Sequence, residues 1–498
     1  MCGILLWILG GIVTIITGFL TVFAYMIHKD REKYKHIPGP PVDSFWLGHI
    51  PLFNREFKKG NFFSQLFLEL VQKYGPTFKL HILHQTVLVT ADNEAIQDLI
   101  VSGNHPKSPR LYEKTQSIFG MRFLGNGLVT DLNEKRWARK RSLMNQAFSR
   151  KYLAGLLNDF NEGADSMVQK ACKLAEENRK FRVLDLMSQT TLDVLGKVAF
   201  GKDLNSLQDD KSPLTKAVYT TLGAFSLQNK DPFARINPFY WKTRQEAFDA
   251  IKLLRSKGSE WIQERREAMQ RNEATPSDIL NHIVNLLDEN EDIEFEDIVD
   301  DFCTFYLAGM ETTATLCSFF IMCVEQHPNV KQKLLHEIDS VLGSKPFIDQ
   351  EDLGKMPYLG MVIKETLRLY PPAPNTIRSN EKDHKVGGYI VPAGSDIFLS
   401  TYVSSRLPEN IKDPLEFRPE RFDSKSEDRP PVYSYFPFSM GPRNCIGQTF
   451  AKIEARIMLS KLYQRVNVHV EPGQSLDIEE RLTLRPKDGL ICTFSLRE

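Results

Sequence analysis

The chain has 498 residues, 42% of them hydrophobic, enough to bury a large core, and its 63 basic residues balance 63 acidic ones. A formal charge of zero gives nothing global to attract nucleic acid, so any electrostatic recognition must be local. Seven cysteines spread thinly over this length do not make a disulfide framework and suit a reducing compartment.

The first element is Ile4 to Ile27, which lacks any charged side chain. As a helix it would span about 36 Å, more than a bilayer core of roughly 30 Å. A cleaved signal peptide is the rival reading, but the chain shows no basic leader and no small-residue cleavage site. An uncleaved transmembrane anchor over residues 1–28 is favoured. Lys29, Arg31, Lys33 and Lys35 follow, against Asp30 and Glu32, which by the positive-inside rule leaves the remainder on the cytosolic side. Ile37-Pro38-Gly39-Pro40-Pro41 completes a proline-rich hinge over 29–45, a semi-rigid spacer before the main domain, 46–498.

Phe78, Leu80, Ile82, Val87 and Val89 alternate around His84-Gln85, which predicts a hairpin over Thr77–Thr90. Helical patterns then dominate to Ser340. Trp137 and Arg141, at i and i+4, share one helix face. The helices are interrupted by a polar loop, Asp203 to Ser212, and by Asn229 to Trp241, rich in proline and aromatics. The second suits a membrane interface and ordinary loop packing about equally. Asp301 to His327 predicts a long apolar helix broken in the middle by Ala308-Gly309-Met310-Glu311-Thr312-Thr313. Thr312 can bond back to the Ala308 carbonyl and loosen the ladder there. Phe302, Phe305 and Ala308 recur at threes, lining either an apolar pocket or plain core. Glu365 and Arg368 stand at i and i+3 on a helix ending before Pro371-Pro372. Short strands return beyond Val386, Arg378 lying ahead of them, and Thr483 to Leu496 predicts a closing hairpin around Asp488-Gly489.

Phe438-Ser439-Met440-Gly441-Pro442-Arg443-Asn444-Cys445-Ile446-Gly447 carries the most chemistry. The apolar spacing from Gln448 to Val466 is helical, which puts Cys445 at a helix N-terminus, where an anion is favoured and a thiol should ionise readily. Gly441 and Gly447 let the backbone lie close to a flat surface. Arg443 can pair with a carboxylate on its edge, and Phe438 would cover the sulfur. An inert buried thiol is the bland alternative. A zinc site is disfavoured, because no C-x-x-C pair accompanies Cys445.

This run fits F-x-x-G-x-R-x-C-x-G at every fixed position and resembles the haem-binding signature of the cytochrome P450 family. The resemblance implies one large, mainly α catalytic domain with a small β lobe, and haem b held by the Cys445 thiolate. It also implies haem propionate contacts at Trp137, Arg141 and Arg378. Glu365 and Arg368 fit E-x-x-R, which the family joins to the arginine of P-E-R-F, here Arg421, in a structural triad. The Ala308–Thr313 run fits the oxygen-activation motif, with Thr312 donating a hydrogen bond to bound oxygen and Glu311 relaying protons. A substrate access lid is implied near residues 229–241.

The chain shows no dinucleotide fingerprint and no Walker loop. Electrons are therefore expected from a partner, which the resemblance implies is NADPH-cytochrome P450 reductase at an endoplasmic reticulum membrane, docking on Arg136, Arg139, Lys140 and Lys452. Runs such as Leu367 to Ala373 and Ser400 to Val403 are similar to the cholesterol 24-hydroxylases, which implies a sterol substrate and puts Ala373 at its pocket. Met310 and Pro374-Asn375-Thr376 depart from that pattern. Fatty-acid or xenobiotic hydroxylation is the alternative within the family, and a membrane-anchored haem or lipid carrier is the alternative outside it.

Overall fold

Helix α1 (Cys2–Lys33) opens the chain, and its side chains from Trp7 to Val22 are exposed. With a mean hydropathy of 2.1 it is long and apolar enough to cross a membrane. From Phe23 onward it docks. Phe23 stacks on Trp46 at 6.2 Å and meets His84 edge-on at 5.5 Å. Arg31 donates to the Ser44 and Phe45 carbonyls, and the Tyr34 hydroxyl bonds Ser395. The basic stretch through Lys33 is thus the last part of the helix. The proline run beyond it lies on strand β1 (Thr77–Ile82), whose Lys79 N–H donates to the Pro38 carbonyl. The computed structural model describes residues 2–209, 212–231, 233–276, 278–289 and 293–497.

Strand β1 pairs with β2 (Gln85–Thr90) from Thr77 opposite Thr90 to Ile82 opposite Gln85. The expected hairpin forms, but its turn is Leu83-His84 rather than His84-Gln85, because Leu83 takes the left-handed φ of +56° that reverses the chain. Then come helices α2 (Glu134–Ala147), capped by the Asn133 side chain, α3 (Val183–Phe200), α4 (Trp241–Gln270), α5 (Phe295–Gln326) and α6 (Pro357–Leu369). Of the polar loop expected at 203–212, residues 203–209 form turns pinned by the Asp193 carboxylate through the Ser206 and Leu207 N–H groups. Asp210 and Lys211 lie outside the described residues, as does Pro232 in the second interruption. There Phe233, Ile236, Phe239 and Trp241 are exposed.

Helix α5 runs unbroken through its 32 residues, which corrects the expected interruption. Thr312 does bond the Ala308 carbonyl, at 2.7 Å, without opening the ladder. Gly309 serves packing: a Cβ there would lie 3.1 Å from Leu195, so the glycine lets α3 close on α5. The core wraps this helix. Phe302 sits among Phe200, Trp261 and Tyr306 at 4.6 to 5.6 Å, pairs worth about 0.5–1.5 kcal/mol each beyond their burial.

Strands return earlier than expected, at β3 (Asn375–Ser379), β4 (His384–Val386), β5 (Tyr389–Val391) and β6 (Asp396–Ser400). Arg378 therefore lies inside a strand, opposite Ile397. The main sheet has the order β1-β2-β6-β3, with β2 and β6 parallel. Helix α7 (Gln448–Arg465) leads into β7 (Val466–Val470). The predicted closing hairpin does not form. Strand β9 (Leu484–Pro486) pairs with β8 (Ile478–Glu480), whereas β10 (Ile491–Leu496) pairs with β7 and with Phe181–Arg182. Gly489, at φ +77°, bends the chain from one sheet to the other, and its carbonyl and that of Leu490 accept from Leu184 and Val183.

Candidate functional site

The loop before α7 is folded on its own backbone: Cys445 N–H donates to the Phe438 carbonyl at 2.9 Å and Asn444 N–H to Gly441 at 3.2 Å. Gly441 has φ +70°, and a Cβ there would lie 1.9 Å from the Ile100 carbonyl. Its close approach is thus to the π-helical segment Asp98–Ser102. Gly447 caps α7 with an ordinary φ of −78°. A Cβ there would meet only the Cys445 sulfur, at 3.9 Å, so protein packing does not demand a glycine. Phe438 is half-buried, its ring under Lys452 at 5.2 Å.

The Cys445 side chain keeps exposed surface, yet the fold surrounds its sulfur. That enclosure raises the thiol pKa; the Gly447 N–H, Arg141 and Lys452 pull it back only in part. The expected easy ionisation is therefore corrected. Loss of water outweighs the helix end, and what ionises such a thiol outright is a bound metal cation.

Beside this loop four cations converge. The Lys107 ammonium is pushed well below its usual range, by burial first and then by Arg378, Arg443 and Arg141. It lies 4.5 Å over the Tyr112 ring. Arg378 is 1% exposed, and its Nε has no partner. Arg443 stacks on Trp137 at 3.6 Å and donates to Glu134 at 2.6 Å. Arg141 donates to the carbonyl and side chain of Asn444, at 2.7 and 2.6 Å, which ties α2 to the cysteine loop. Glu134 offsets one of these four cations, which leaves the wall with surplus positive charge for an anionic ligand to meet. A thiol that the fold surrounds, with surplus cations beside it, fits haem b. Lys107 and Tyr112 were not foreseen. No motif contains them, and only the backbone bridge between Lys107 and Arg378 brings them in.

On α5 every residue from Asp297 to Val324 is buried except Ala308, Gly309 and Thr312, which open one face of the helix. Glu311 is elsewhere: it is 1% exposed, accepts from Thr483 at 3.1 Å and pairs with Arg485 at 3.6 Å on β9. Burial raises its pKa. Phe302 and Phe305 are buried, the latter against Phe148 at 5.3 Å, which fits the core alternative of the two the spacing allowed. Ala308 and Ala373 are exposed. Thr313 stands beside Glu454 of α7, a buried carboxyl whose pKa burial raises well above the usual range.

Glu365, Arg368 and Arg421 are each no more than 1% exposed. Arg368 holds the carboxylate through two bonds of 2.7 and 2.8 Å, Arg421 through one of 2.9 Å, and the Arg418 N–H adds another. The expected triad is therefore assembled. Of the cations expected on the docking face, Lys140 is fully buried against Asp301 and Asp131 and does not belong there. Arg136 is paired with Asp131, Lys452 is half-buried and Arg139 is exposed.

The sequence matches the family Cytochrome P450 over residues 38–493. Cytochrome P450 4d2 of Drosophila melanogaster is 29% identical over 96% of this chain and 97% of its own. Cytochrome P450 4V2 of Pongo abelii is 30% identical over 91% and 88%, and cytochrome P450 3A6 of Oryctolagus cuniculus 29% over 94% and 93%. The crystal structure of the cytochrome P450DA heme domain shares the fold, with a TM-score of 0.82 at 24% identity over 93% of this chain and 97% of that one. The chain belongs to the cytochrome P450 family, oxidoreductases in which a cysteine thiolate holds haem for monooxygenation.

Proposed function

We propose that this chain hydroxylates an apolar substrate, a sterol, at the endoplasmic reticulum membrane, with electrons from NADPH-cytochrome P450 reductase. One observation carries the reading: the exposed Cys445 side chain lies beside a wall of surplus cations, and α5 leaves Ala308, Gly309 and Thr312 uncovered in an otherwise buried stretch. Haem b held there would supply activation of O2 and insertion of one oxygen atom into a C–H bond.

Cys445 is the residue that would hold the haem iron in this reading. Arg141, Arg378, Arg443 and Lys107 hold the carboxylate edge, and Trp137 fixes Arg443 from below. The single hydroxyl proton of Thr312 is engaged by Ala308. Its lone pairs can accept a bond from the opening, while donating into it requires release of that bond, at a cost of about 0.5–1.5 kcal/mol. Glu311, whose pKa burial raises, can serve as a proton carrier, provided it turns away from Thr483 and Arg485. Ala308, Gly309 and Ala373 leave the opening small-sided and uncharged, which supports a neutral sterol over a fatty acid, whose carboxylate needs a cation. The apolar helix α1 and the exposed Phe233, Ile236, Phe239 and Trp241 support membrane contact. Lys135 and Arg139, both exposed on α2, offer positive charge to the reductase.

The test is turnover in vesicles with reductase, NADPH and parallel panels of sterols, fatty acids and drug-like molecules. A hydroxylated sterol is expected. Oxidation confined to the other panels replaces the substrate, and a ferrous carbon monoxide spectrum without a thiolate-type Soret band sinks the whole reading.

A further inference from the structure

A second group of metal-ligating side chains lies apart from the cysteine loop. Asp98 begins the π-helical segment, His105 follows it in a loop, and His384 opens strand β4. Their donor atoms all lie within 4.8 Å of one another. His384 Nε2 hydrogen-bonds Asp98 Oδ2, and the two imidazole rings stand 4.5 Å apart at 55°. The His384–Asp98 bond alone is an ordinary surface pair. It does not account for His105, whose ring has no hydrogen-bond partner among the described residues. That ring lies against Gly103, where a Cβ would come within 2.8 Å of its Cδ2. All three ligands are half-buried, within reach of an ion from solvent.

We propose that Asp98, His105 and His384 bind one divalent transition-metal ion, zinc foremost. Two imidazoles and one carboxylate make a nitrogen-rich set that suits zinc and disfavours calcium and magnesium, which take oxygen ligands. The ion enters between His384 and Asp98 in place of the shared proton, which leaves to water. Metal–ligand distances of about 2.0–2.2 Å require only side-chain adjustments from the present spacing, and water completes a fourth position. The site also has a consequence, which rests on the haem reading above. The Ile100 carbonyl of the same segment supports Gly441, the Pro106 carbonyl accepts from Ser379, and Lys107 bridges Arg378. A bound ion therefore ties together the segments that carry the cationic wall and should slow the loss of haem.

Full-length holoenzyme in detergent, dialysed against chelator and then against free Zn2+, is expected to take up one equivalent of zinc per chain. His105→Ala and His384→Ala should each weaken uptake at least tenfold. Asp98→Asn, which keeps the side-chain shape, should do so as well, and His336→Ala, exposed on a distant helix, should not. Zinc-edge X-ray absorption should report two imidazoles. Equal uptake by wild type and the His105→Ala/His384→Ala double variant, or a shell with fewer than two imidazoles, overturns the site. Transfer of haem to an acceptor protein should slow at least threefold with zinc in wild type and not in the double variant. Equal rates overturn the clamp and leave the ion site to the uptake data.

Discussion

Two groups of buried cations in this fold are arranged in opposite ways. Arg368 and Arg421 enclose Glu365, and the remaining guanidinium protons of Arg368 reach the carbonyls of Ser405, Pro414 and Glu416. Lys107, Arg141, Arg378 and Arg443 crowd one another with a single carboxylate nearby, and one of their nitrogens has no partner. The first group carries its counter-ion within the chain and is complete when the chain folds. The second is complete only when a ligand brings negative charge, because uncompensated buried charge is expensive. Where the carboxylate comes from thus separates residues that hold the fold from residues that hold a cofactor.

The contrast breaks most completely at Cys445. Its thiol takes a hydrogen bond from the Gly447 N–H and feels Arg141 and Lys452, interactions on which the haem-free fold does not depend, so Cys445→Ala should abolish the thiolate-type Soret band and all turnover, yet change the unfolding free energy of the haem-free chain by less than about 1 kcal/mol. Denaturant titration together with the spectrum checks both halves. Glu365→Ala should do the reverse. Two fully buried guanidinium groups lose their carboxylate, a cost of about 3–5 kcal/mol against a total stability of about 5–15. Unfolding within 1 kcal/mol of wild type would move this cluster into the other class. Lys107→Met sharpens the division further. Loss of a charge-assisted bond of about 1.5–3 kcal/mol should speed haem loss roughly 10- to 100-fold, while the haem-free chain unfolds no more easily than wild type.

Thr312→Ala should keep the spectrum and the stability, since its hydroxyl serves only its own helix, while product formed per electron pair falls about tenfold. Full coupling in that variant would remove Thr312 from proton delivery. The smallest effect concerns a carboxyl, Glu480, that the Lys230 cation offsets only in part. Glu480 accepts from Ser64 and lies beside Asn375, but burial outweighs these bonds and pushes its pKa up to about 7. The folded chain therefore keeps a proton that the unfolded chain has already released between about pH 4.5 and 7. Stability from this group is present below that window and lost as pH rises through it. Glu480→Gln should match wild type near pH 4 and exceed it by about 1 kcal/mol at pH 8, measured as unfolding free energy against pH. Parallel curves would mean that the carboxyl is solvated.

The ligand loop, the triad and the oxygen motif were visible in the sequence because each is a short run or a fixed helical spacing. Cys445, Glu365 with Arg368, and Thr312 with Ala308 interact within a few residues or carry their motif whole. Lys107 and the partners of Glu311 were not visible, since Lys107 meets Arg378 and Glu311 meets Thr483 only after distant strands are brought together. Phe302 and Phe305 had the right spacing for a pocket, but which way a helix face points depends on what packs against it. Lys140 failed in the same way: a lysine on a basic helix is usually solvated, and here Asp301 and Asp131 draw it inside.

By itself the sequence offered Cys445 as the proposed metal ligand and arginines for the proposed haem edge, and it marked Glu365 with Arg368 and the apolar first helix, because covalent order sets residue type and local spacing. Tertiary structure alone decided which cations remain without a counter-ion, which face of α5 is open, and that the Cys445 thiol is harder, not easier, to ionise without its metal. Those properties depend on burial and on charges from remote segments. Neither exists until the chain has folded.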